Sequence, residues 1–254
     1  MFQFLLLGLL AGVGAWGTEY FENYYNEIDV DDELAEVKTR NAMSSPRQLW
    51  PSTRIYYRIA SDCSPEEVAN VHTALATFNE QSCLQFEELT GPAPPGSRYV
   101  YYKKSDRLCG TRIGYNPLPV FGSGSHDVLL SPKCMAVPGI IQHETLHLLG
   151  LYHEQSRPDR DDHVVIDYDN IPRKYWPQFM ATSSSTTTTY DVPYDFESVM
   201  HYPKNAFATD PSKPTIRALV DGVPTEREMG QTVGPTEGDL FKIRKMYKCD
   251  QTAQ

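Results

Sequence analysis

Three histidines stand close together near the middle of the chain, at positions 143, 147 and 153. His143 and His147 are four residues apart, a spacing that brings both imidazole rings to the same face of a helix. Gly150 can adopt a positive φ angle, so it can end that helix and let His153 turn back toward the first two rings. Because imidazole nitrogens are preferred zinc ligands, this spacing predicts one zinc ion per chain, bound by the three histidines.

Glu144, next to the first histidine, suggests what the zinc would do. Three protein ligands leave the fourth position of a tetrahedral site to water, which is typical of a catalytic zinc. Zinc lowers the pKa of such a water from 15.7 to about 7. Glu144 is not needed as a ligand and could take the proton of the water and pass it to a leaving amine. An ordinary histidine pair would fit the run from His143 to His147, but it leaves Gly150 and His153 unexplained.

The helix that carries these residues is predicted over 136–149 and is apolar on most sides, so we expect it to be buried all round. Before it, Ser64 and Pro65 predict the capped start of another helix, whose apolar face contains Val71 and Leu75. A last helix is predicted over 235–247. Short alternating or aromatic segments predict four strands, at 54–60, 83–89, 98–102 and 126–131.

The charge distribution divides the chain into two parts. The net charge is −10, which argues against a nucleic-acid partner. Much of this charge lies in residues 1–40, which hold eight acidic and two basic residues. The apolar stretch 4–15 is shorter than the about 20 residues that span a bilayer, and it ends in small residues. We therefore expect a secreted protein without a membrane partner, with a signal peptide over 1–15, a pro-segment over 16–40 and a catalytic domain over 41–254. A buried or anchored N-terminal segment is the alternative.

Three further features resemble the astacin family of metzincin zinc metalloendopeptidases. Glu154 directly follows the third histidine, residues 198–202 read like the family's Met-turn, and Cys83-Leu-Gln-Phe and Tyr247-Lys-Cys249 match the ends of its catalytic domain. The resemblance implies an endopeptidase that hydrolyses peptide bonds in proteins or peptides. It also implies an α+β, metzincin-like domain of two lobes that meet near residue 150. The N-terminal lobe would hold a twisted mixed sheet and two long helices, and the C-terminal lobe would be mostly irregular with a C-terminal helix.

The resemblance implies roles for particular residues. Met200 would form an apolar floor under the zinc. Tyr202 would be a movable fifth ligand that donates a hydrogen bond to the oxyanion. Glu154 would accept the new amine of Asn41, and the strand at 128–131 would bind the substrate backbone by strand addition. Taken alone, Met200 and Tyr202 would be interpreted as ordinary core residues.

Five cysteines in a secreted chain are expected to form mainly disulfides. The sequence alone does not pair them, but the resemblance implies the disulfides Cys83–Cys249 and Cys109–Cys134. Cys63 then remains, either as a free buried thiol or as part of an intermolecular bridge.

By the same resemblance, the protein is expected to be a zymogen that a trypsin-like protease cleaves after Arg40. Family zymogens often carry Phe-x-Gly-Asp, whose aspartate replaces the catalytic water. The nearest match is residues 26–29, which lack the phenylalanine and the glycine. Asp29 is therefore the candidate switch residue, and Asp31 and Asp32 are alternatives.

Two other classes of protein are alternatives to a peptidase. A binding protein on an inactive scaffold would lack Glu144 or a ligand, and a non-peptidase zinc hydrolase would lack the block at 200–202; both features are intact. His201 is interpreted as a core histidine because three ligands are already assigned. Residues 159–161 (Asp-Arg-Asp) are interpreted as a structural ion-pair network in preference to a calcium site.

Overall fold

The computed structural model describes residues 45–115 and 124–251. These residues form four α-helices, namely α1 (Pro65–Gln81), α2 (Pro132–Met135), α3 (Pro138–Leu149) and α4 (Glu237–Met246). The strands are β1 (Arg54–Ile59), β2 (Gln85–Glu88), β3 (Tyr99–Lys104), β4 (Gly110–Thr111), β5 (Ser125–Leu130), β6 (Val164–Ile166), β7 (Ile216–Val220) and β8 (Val223–Thr225). Short 3-10 helices lie at Pro46–Gln48, Glu154–Ser156, Arg160–Asp162, Tyr168–Asn170, Arg173–Phe179 and Cys249–Gln251.

A five-stranded sheet with the order β2–β1–β3–β5–β4 forms the N-terminal lobe. β1, β2, β3 and β5 run parallel, and β4 runs antiparallel to β5. Because side chains alternate between the two faces of a strand, Ile55 and Tyr57 of β1 and Val100 and Tyr102 of β3 are buried on the same side. There they share one core with α1 and α3. The mixed sheet with two long helices confirms the α+β fold expected for this lobe.

β4, and not β5, forms the edge of this sheet. Val128 and Leu129 of β5 are paired with β3 on one side and with β4 on the other. The expectation that the strand at 128–131 binds a substrate backbone is therefore wrong for Val128 and Leu129, because two neighbouring strands already take their hydrogen-bonding groups. Within the described part of the chain, Gly110 and Thr111 have a strand on one side only, which is the condition for strand addition.

Helix α1 begins where the sequence predicts. The Glu67 amide donates to Ser64 Oγ at 3.2 Å, and the Ser64 amide donates to the Glu67 carboxylate at 2.6 Å, which together form a capping box. Pro65 occupies the first helical position. The buried face contains Val71, Ala74, Leu75 and Phe78, so the apolar stripe read from the sequence is the face that packs on the sheet.

Helix α3 begins at Pro138 and not at residue 136. Val137 is extended, with φ −123° and ψ 103°, because a proline ring disfavours the helical conformation of the residue before it. The preceding turn forms the separate short helix α2. Every residue from Gly139 to Leu149 is buried, as the all-round apolar pattern predicts. The helix ends at Gly150, whose φ of 112° requires a residue without a Cβ atom.

The C-terminal lobe is more regular than expected. β6, β7 and β8 form an antiparallel sheet in that order, and residues of β6 and β7 pack with Phe179 and Phe207 into a second core cluster. The β7–β8 turn contains Asp221 and Gly222 at φ 52° and 76°, which is the geometry that an Asp-Gly pair favours in a tight hairpin. Three to five residues per strand give too little alternation to be recognised beforehand.

Helix α4 closes the N-terminal core, although it comes last in the chain. Leu240, Ile243 and Met246 belong to the same buried cluster as α1 and α3. The disulfide Cys83–Cys249 ties its end to the end of α1, and Cys109–Cys134 is also formed, so both pairs implied by the resemblance are present. Cys63 is a half-buried free cysteine. None of the helices in the described ranges is long and apolar enough to cross a membrane.

Candidate metal centre

The three histidines converge on one point at the junction of the lobes. His143 and His147 leave the same face of α3, and their ring centroids lie 4.7 Å apart. After Gly150 the chain turns back, and His153 brings its Nε2 to 3.2 Å from Nε2 of His147. One nitrogen of each ring lies within 4.8 Å of the others, and among the described residues this is the group of His, Cys, Asp or Glu side chains able to hold a metal ion.

Backbone carbonyls orient two of these rings. Nδ1 of His143 donates to Val199 O at 2.7 Å, and Nδ1 of His147 donates to Leu151 O at 2.8 Å. Since a carbonyl oxygen only accepts, Nδ1 carries the proton and Nε2 keeps the lone pair that faces the centre. Metal-binding histidines are held by this kind of outer hydrogen bond.

Burial keeps the rings in the protonation state that a metal needs. It lowers the pKa of His143 to about 4 and that of His147 to about 3, and it lowers the pKa of His153 well below 6.5. All three imidazoles are therefore neutral at physiological pH, as ligation requires. A set of three convergent neutral imidazoles fits zinc.

Glu144 and Tyr202 adjoin this group. Glu144 is 2% exposed and follows His143 directly on α3. The Tyr202 ring lies 4.3 Å from the His153 ring. The pKa of Tyr202 is raised above its ordinary value by burial and, second, by the negative charge of Glu144. The phenol therefore keeps its proton and can act as a hydrogen-bond donor.

The Met-turn joins the two cores. Met200 is fully buried in the N-terminal core, whereas Tyr202 belongs to the C-terminal cluster beside Phe179 and Phe207. The Met200 carbonyl accepts the Glu154 amide at 2.8 Å, so the turn is tied to the residue after the third histidine. An apolar floor formed by Met200 remains a prediction.

Asp239 of α4 supports the turn from behind, a role that sequence reasoning missed. Its carboxylate accepts Ser198 Oγ at 2.6 Å and the Val199 amide at 3.2 Å, and the carbonyl of the same Val199 orients His143. The sequence indicates one role of Asp239, because the spacing of Thr236 and Asp239 is that of a capping box, which forms at the start of α4. Its second role depends on segments 41 residues apart.

Glu154 meets two cations within the described residues. Oε1 accepts from Arg157 at 2.9 Å, and Oε2 accepts from the ammonium of Lys242 at 2.6 Å. Burial alone would raise the pKa of Glu154, but Lys242 and Arg157 lower it below its ordinary value. Sequence reasoning connected neither cation to this carboxylate. Asn41, the expected donor of a new amine, lies outside the described residues, as does Asp29.

The remaining polar residues near the site have structural partners. His201 donates through Nδ1 to Tyr202 O at 2.6 Å, and its Nε2 lies 2.9 Å from the Tyr194 hydroxyl, so it is a core histidine as interpreted from the sequence. Asp159 pairs with Arg157, and Arg160 pairs with Asp161. These contacts agree with an ion-pair network at 159–161.

A convergent trio of neutral histidines beside a buried glutamate is the arrangement of a metal-dependent hydrolase. Comparison with known proteins identifies the family. The sequence model of the Astacin peptidase family matches residues 42–248, and the chain belongs to this family of zinc metalloendopeptidases.

Individual relatives agree with this assignment. Zinc metalloproteinase nas-38 of Caenorhabditis elegans is 35% identical over 182 residues, which are 72% of this chain and 23% of that protein. Zinc metalloproteinase nas-7 of the same organism is 32% identical over 224 residues, which are 88% of this chain and 54% of that protein. The chain thus spans less than two thirds of the length of these relatives. The low choriolytic enzyme of Oryzias latipes is 29% identical over 231 residues, which are 87% of this chain and 78% of that protein.

Solved structures show the same fold. High choriolytic enzyme 1, a hatching enzyme zinc-protease from Oryzias latipes (medaka), superposes with a TM-score of 0.69 at 30% identity, covering 82% of this chain and all of that one. Myroilysin, at 15% identity and a TM-score of 0.58, shares the fold over 81% of this chain and 97% of its own.

Proposed function

We propose that this chain is a zinc-dependent endopeptidase that hydrolyses peptide bonds in proteins or peptides, with one zinc ion held by His143, His147 and His153. The observation that carries the proposal is the convergence of three neutral imidazoles, two of them buried and that of His153 half-buried, beside Glu144. When bound, zinc supplies Lewis-acid chemistry that activates water and polarises a carbonyl.

Glu144 is proposed to move the proton. Its position on α3, one residue from His143, and its 2% exposure put a carboxylate beside the centre but shielded from bulk water. There it would take a proton from the attacking water and give it to the leaving amine, which makes it general base and then general acid.

Tyr202 is proposed to stabilise the transition state. Its phenol is buried and stays protonated, and the centroid of its ring lies 4.3 Å from that of the His153 ring. From this position it would donate a hydrogen bond to the negative charge that develops on the carbonyl oxygen. Donors aimed at such a charge contribute most when water is excluded, as it is around this side chain.

The edge strand β4 is proposed to bind the substrate. Gly110 and Thr111 are paired with β5 on one side, and the amide of Gly114, three residues further, donates to the carbonyl of His147 at 2.9 Å. This hydrogen bond holds the segment after β4 close to the metal-binding helix. An extended peptide that adds to the other edge of β4 would therefore pass near the centre.

Secretion and zymogen activation complete the proposal. The acidic segment before residue 41 would supply Asp29 to the metal centre in place of water, and cleavage after Arg40 would remove it. Two disulfides in the described residues fit an oxidising compartment.

The test is metal analysis and peptide hydrolysis with the chain trimmed to Asn41. We expect one zinc per chain, reversible loss of activity in chelator, and a kcat for Glu144→Ala that is lower by about 10²–10⁴-fold with zinc retained. Glu87→Ala, at an exposed position of β2, is the control and should behave as wild type. Zinc-free protein, full activity in excess chelator, or activity of Glu144→Ala within about threefold of wild type would contradict the proposal.

A further inference from the structure

Lys242 of α4 lies buried behind the segment that carries the third histidine. Its side chain is 1% exposed, and its ammonium lies 2.6 Å from Oε2 of Glu154, which is also 1% exposed. An ammonium group is strongly hydrated, so removing it from water is costly unless a partner compensates the charge. The pair joins residues 88 positions apart and connects the C-terminal helix to the residue next to His153.

Arg157 alone does not balance the carboxylate of Glu154. Its guanidinium donates to Glu154 at 2.9 Å, but it also forms two hydrogen bonds with Asp159, at 2.9 and 2.8 Å. One positive charge is thus divided between two carboxylates. Within the described residues, Lys242 supplies the second positive charge of this cluster.

The geometry connects this charge pair to the metal centre. The Glu154 amide donates to the Met200 carbonyl at 2.8 Å. Its carboxylate is held by Lys242 at Oε2 and by Arg157 and the Asp195 amide at Oε1, so this residue is held at both ends. His153 precedes it as the N-cap of the 3-10 helix Glu154–Ser156. Restricting Glu154 therefore restricts the backbone from which the His153 ring reaches Nε2 of His147.

We propose that Lys242 is a positioning residue of the metal centre, which holds His153 through Glu154 in the orientation that binds zinc. The inference rests on the proposed zinc-dependent function. Outer groups that orient metal ligands typically contribute 10–100-fold to metal affinity or activity. The C-terminal helix thereby acts on the centre through Glu154.

The test compares Lys242→Gln, Lys242→Arg and Lys245→Gln in the zinc-loaded chain. Lys245 lies on the same helix and pairs with Asp250 at the surface, so its variant controls for the loss of a lysine. Zinc loss is followed with a chromophoric chelator, together with thermal unfolding, kcat and KM. We expect Lys242→Gln to lose zinc at least about tenfold faster and to lower kcat more than KM. Lys242→Arg and Lys245→Gln should stay within about threefold of wild type.

The outcomes separate positioning from simple support of the fold. If Lys242→Gln unfolds more readily but releases zinc at the wild-type rate, Lys242 only supports the fold, and the proposal is overturned. Equal zinc loss from Lys242→Arg and Lys242→Gln would also overturn it, because the charge would then be irrelevant.

A variant without both charges covers the case in which Lys242→Gln does not fold. Glu154→Gln/Lys242→Gln removes both charges of the pair, and Arg157 keeps its two hydrogen bonds with Asp159. The variant should therefore fold and still release zinc at least about tenfold faster than wild type. A wild-type rate, or failure of this variant to fold, overturns the proposal. If the wild-type chain binds no zinc, the proposed function itself fails and the inference falls with it.

Discussion

Replacing Gly230 with alanine should weaken the fold and the catalytic site together. Gly230 has φ 69°, and an added Cβ atom would lie 2.3 Å from the His201 carbonyl oxygen and 3.1 Å from the Tyr202 carbonyl carbon. Its own amide donates to Phe196 O at 2.8 Å, so the segment around Gly230 cannot move away without breaking this hydrogen bond. Backbone atoms must shift on both sides.

The magnitude follows from two costs. A left-handed conformation costs a non-glycine residue about 1–2 kcal/mol, and forcing an extra carbon into a packed site costs about 1–3 kcal/mol. We therefore expect Gly230→Ala to lose about 2–5 kcal/mol in free energy of unfolding, which for a domain of this size is about 2–4 °C in Tm per kcal/mol. Thermal and denaturant unfolding of the zinc-loaded protein measure this loss.

The same shift should reach catalysis. The atoms that must move belong to the two peptide groups that flank Tyr202. A misplacement of about 1 Å in catalytic groups can cost about 10²-fold in rate. We expect kcat to fall more than KM.

Gly222→Ala is the matched control for this prediction. Gly222 has φ 76° but no atom within 4 Å of an added Cβ, so it has the conformational cost alone and lies in the β7–β8 turn. It should lose about 1–2 kcal/mol and keep kcat. Equal stability of the two variants, or an unchanged kcat in Gly230→Ala, would contradict this prediction.

Three further predictions follow from the site and its surroundings. Tyr202→Phe should lower kcat by about 10²–10³-fold with little change in KM. The control Tyr102→Phe, which loses a buried hydroxyl contact behind α3, should cost only about 1 kcal/mol of stability. An effect of Tyr202→Phe that is confined to KM would contradict this prediction. Burial lowers the pKa of His126 from 6.5 to about 4, so the unfolded chain binds more protons than the folded chain between these pH values. The free energy of unfolding should therefore fall by about 3 kcal/mol as the pH drops from 7 to 4. Unfolding curves of His126→Gln should lack this part of the pH dependence, and a pH profile identical to that of wild type would show the assignment to be wrong. Asp29→Ala should make the uncleaved chain active, and activity of Asp31→Ala instead would move the switch residue.

Local patterns predicted the cluster of three histidines and the helix that carries two of them. The spacing of His143 and His147 is a property of a single helix, and Gly150 supplies the turn that returns His153 to the same point. Likewise, the capping box that begins α1 involves residues three positions apart. Such features depend on backbone geometry over one or two turns, so they can be predicted without knowledge of the rest of the fold.

Strand pairing required the tertiary structure. Both β4 and β5 could be the edge of the sheet when only their sequences are considered. The answer depends on which strand has a neighbour on each side, and β5 has two. In the same way, the hairpin at Asp221 and Gly222 has a local turn signal, but its strands are too short to reveal the second sheet.

The support behind the metal centre also depends on contacts between distant parts of the chain. Asp239 and Lys242 lie one turn apart on α4, and they reach segments 41 and 88 residues away that hold His143 and His153. On a helix surface, an aspartate and a lysine at this spacing would be interpreted as solvated. The sequence sets their spacing along the helix, but their burial against Ser198 and Glu154 depends on how α4 packs into the N-terminal core. That packing joins residues distant in the chain and leaves no local pattern from which it could be predicted.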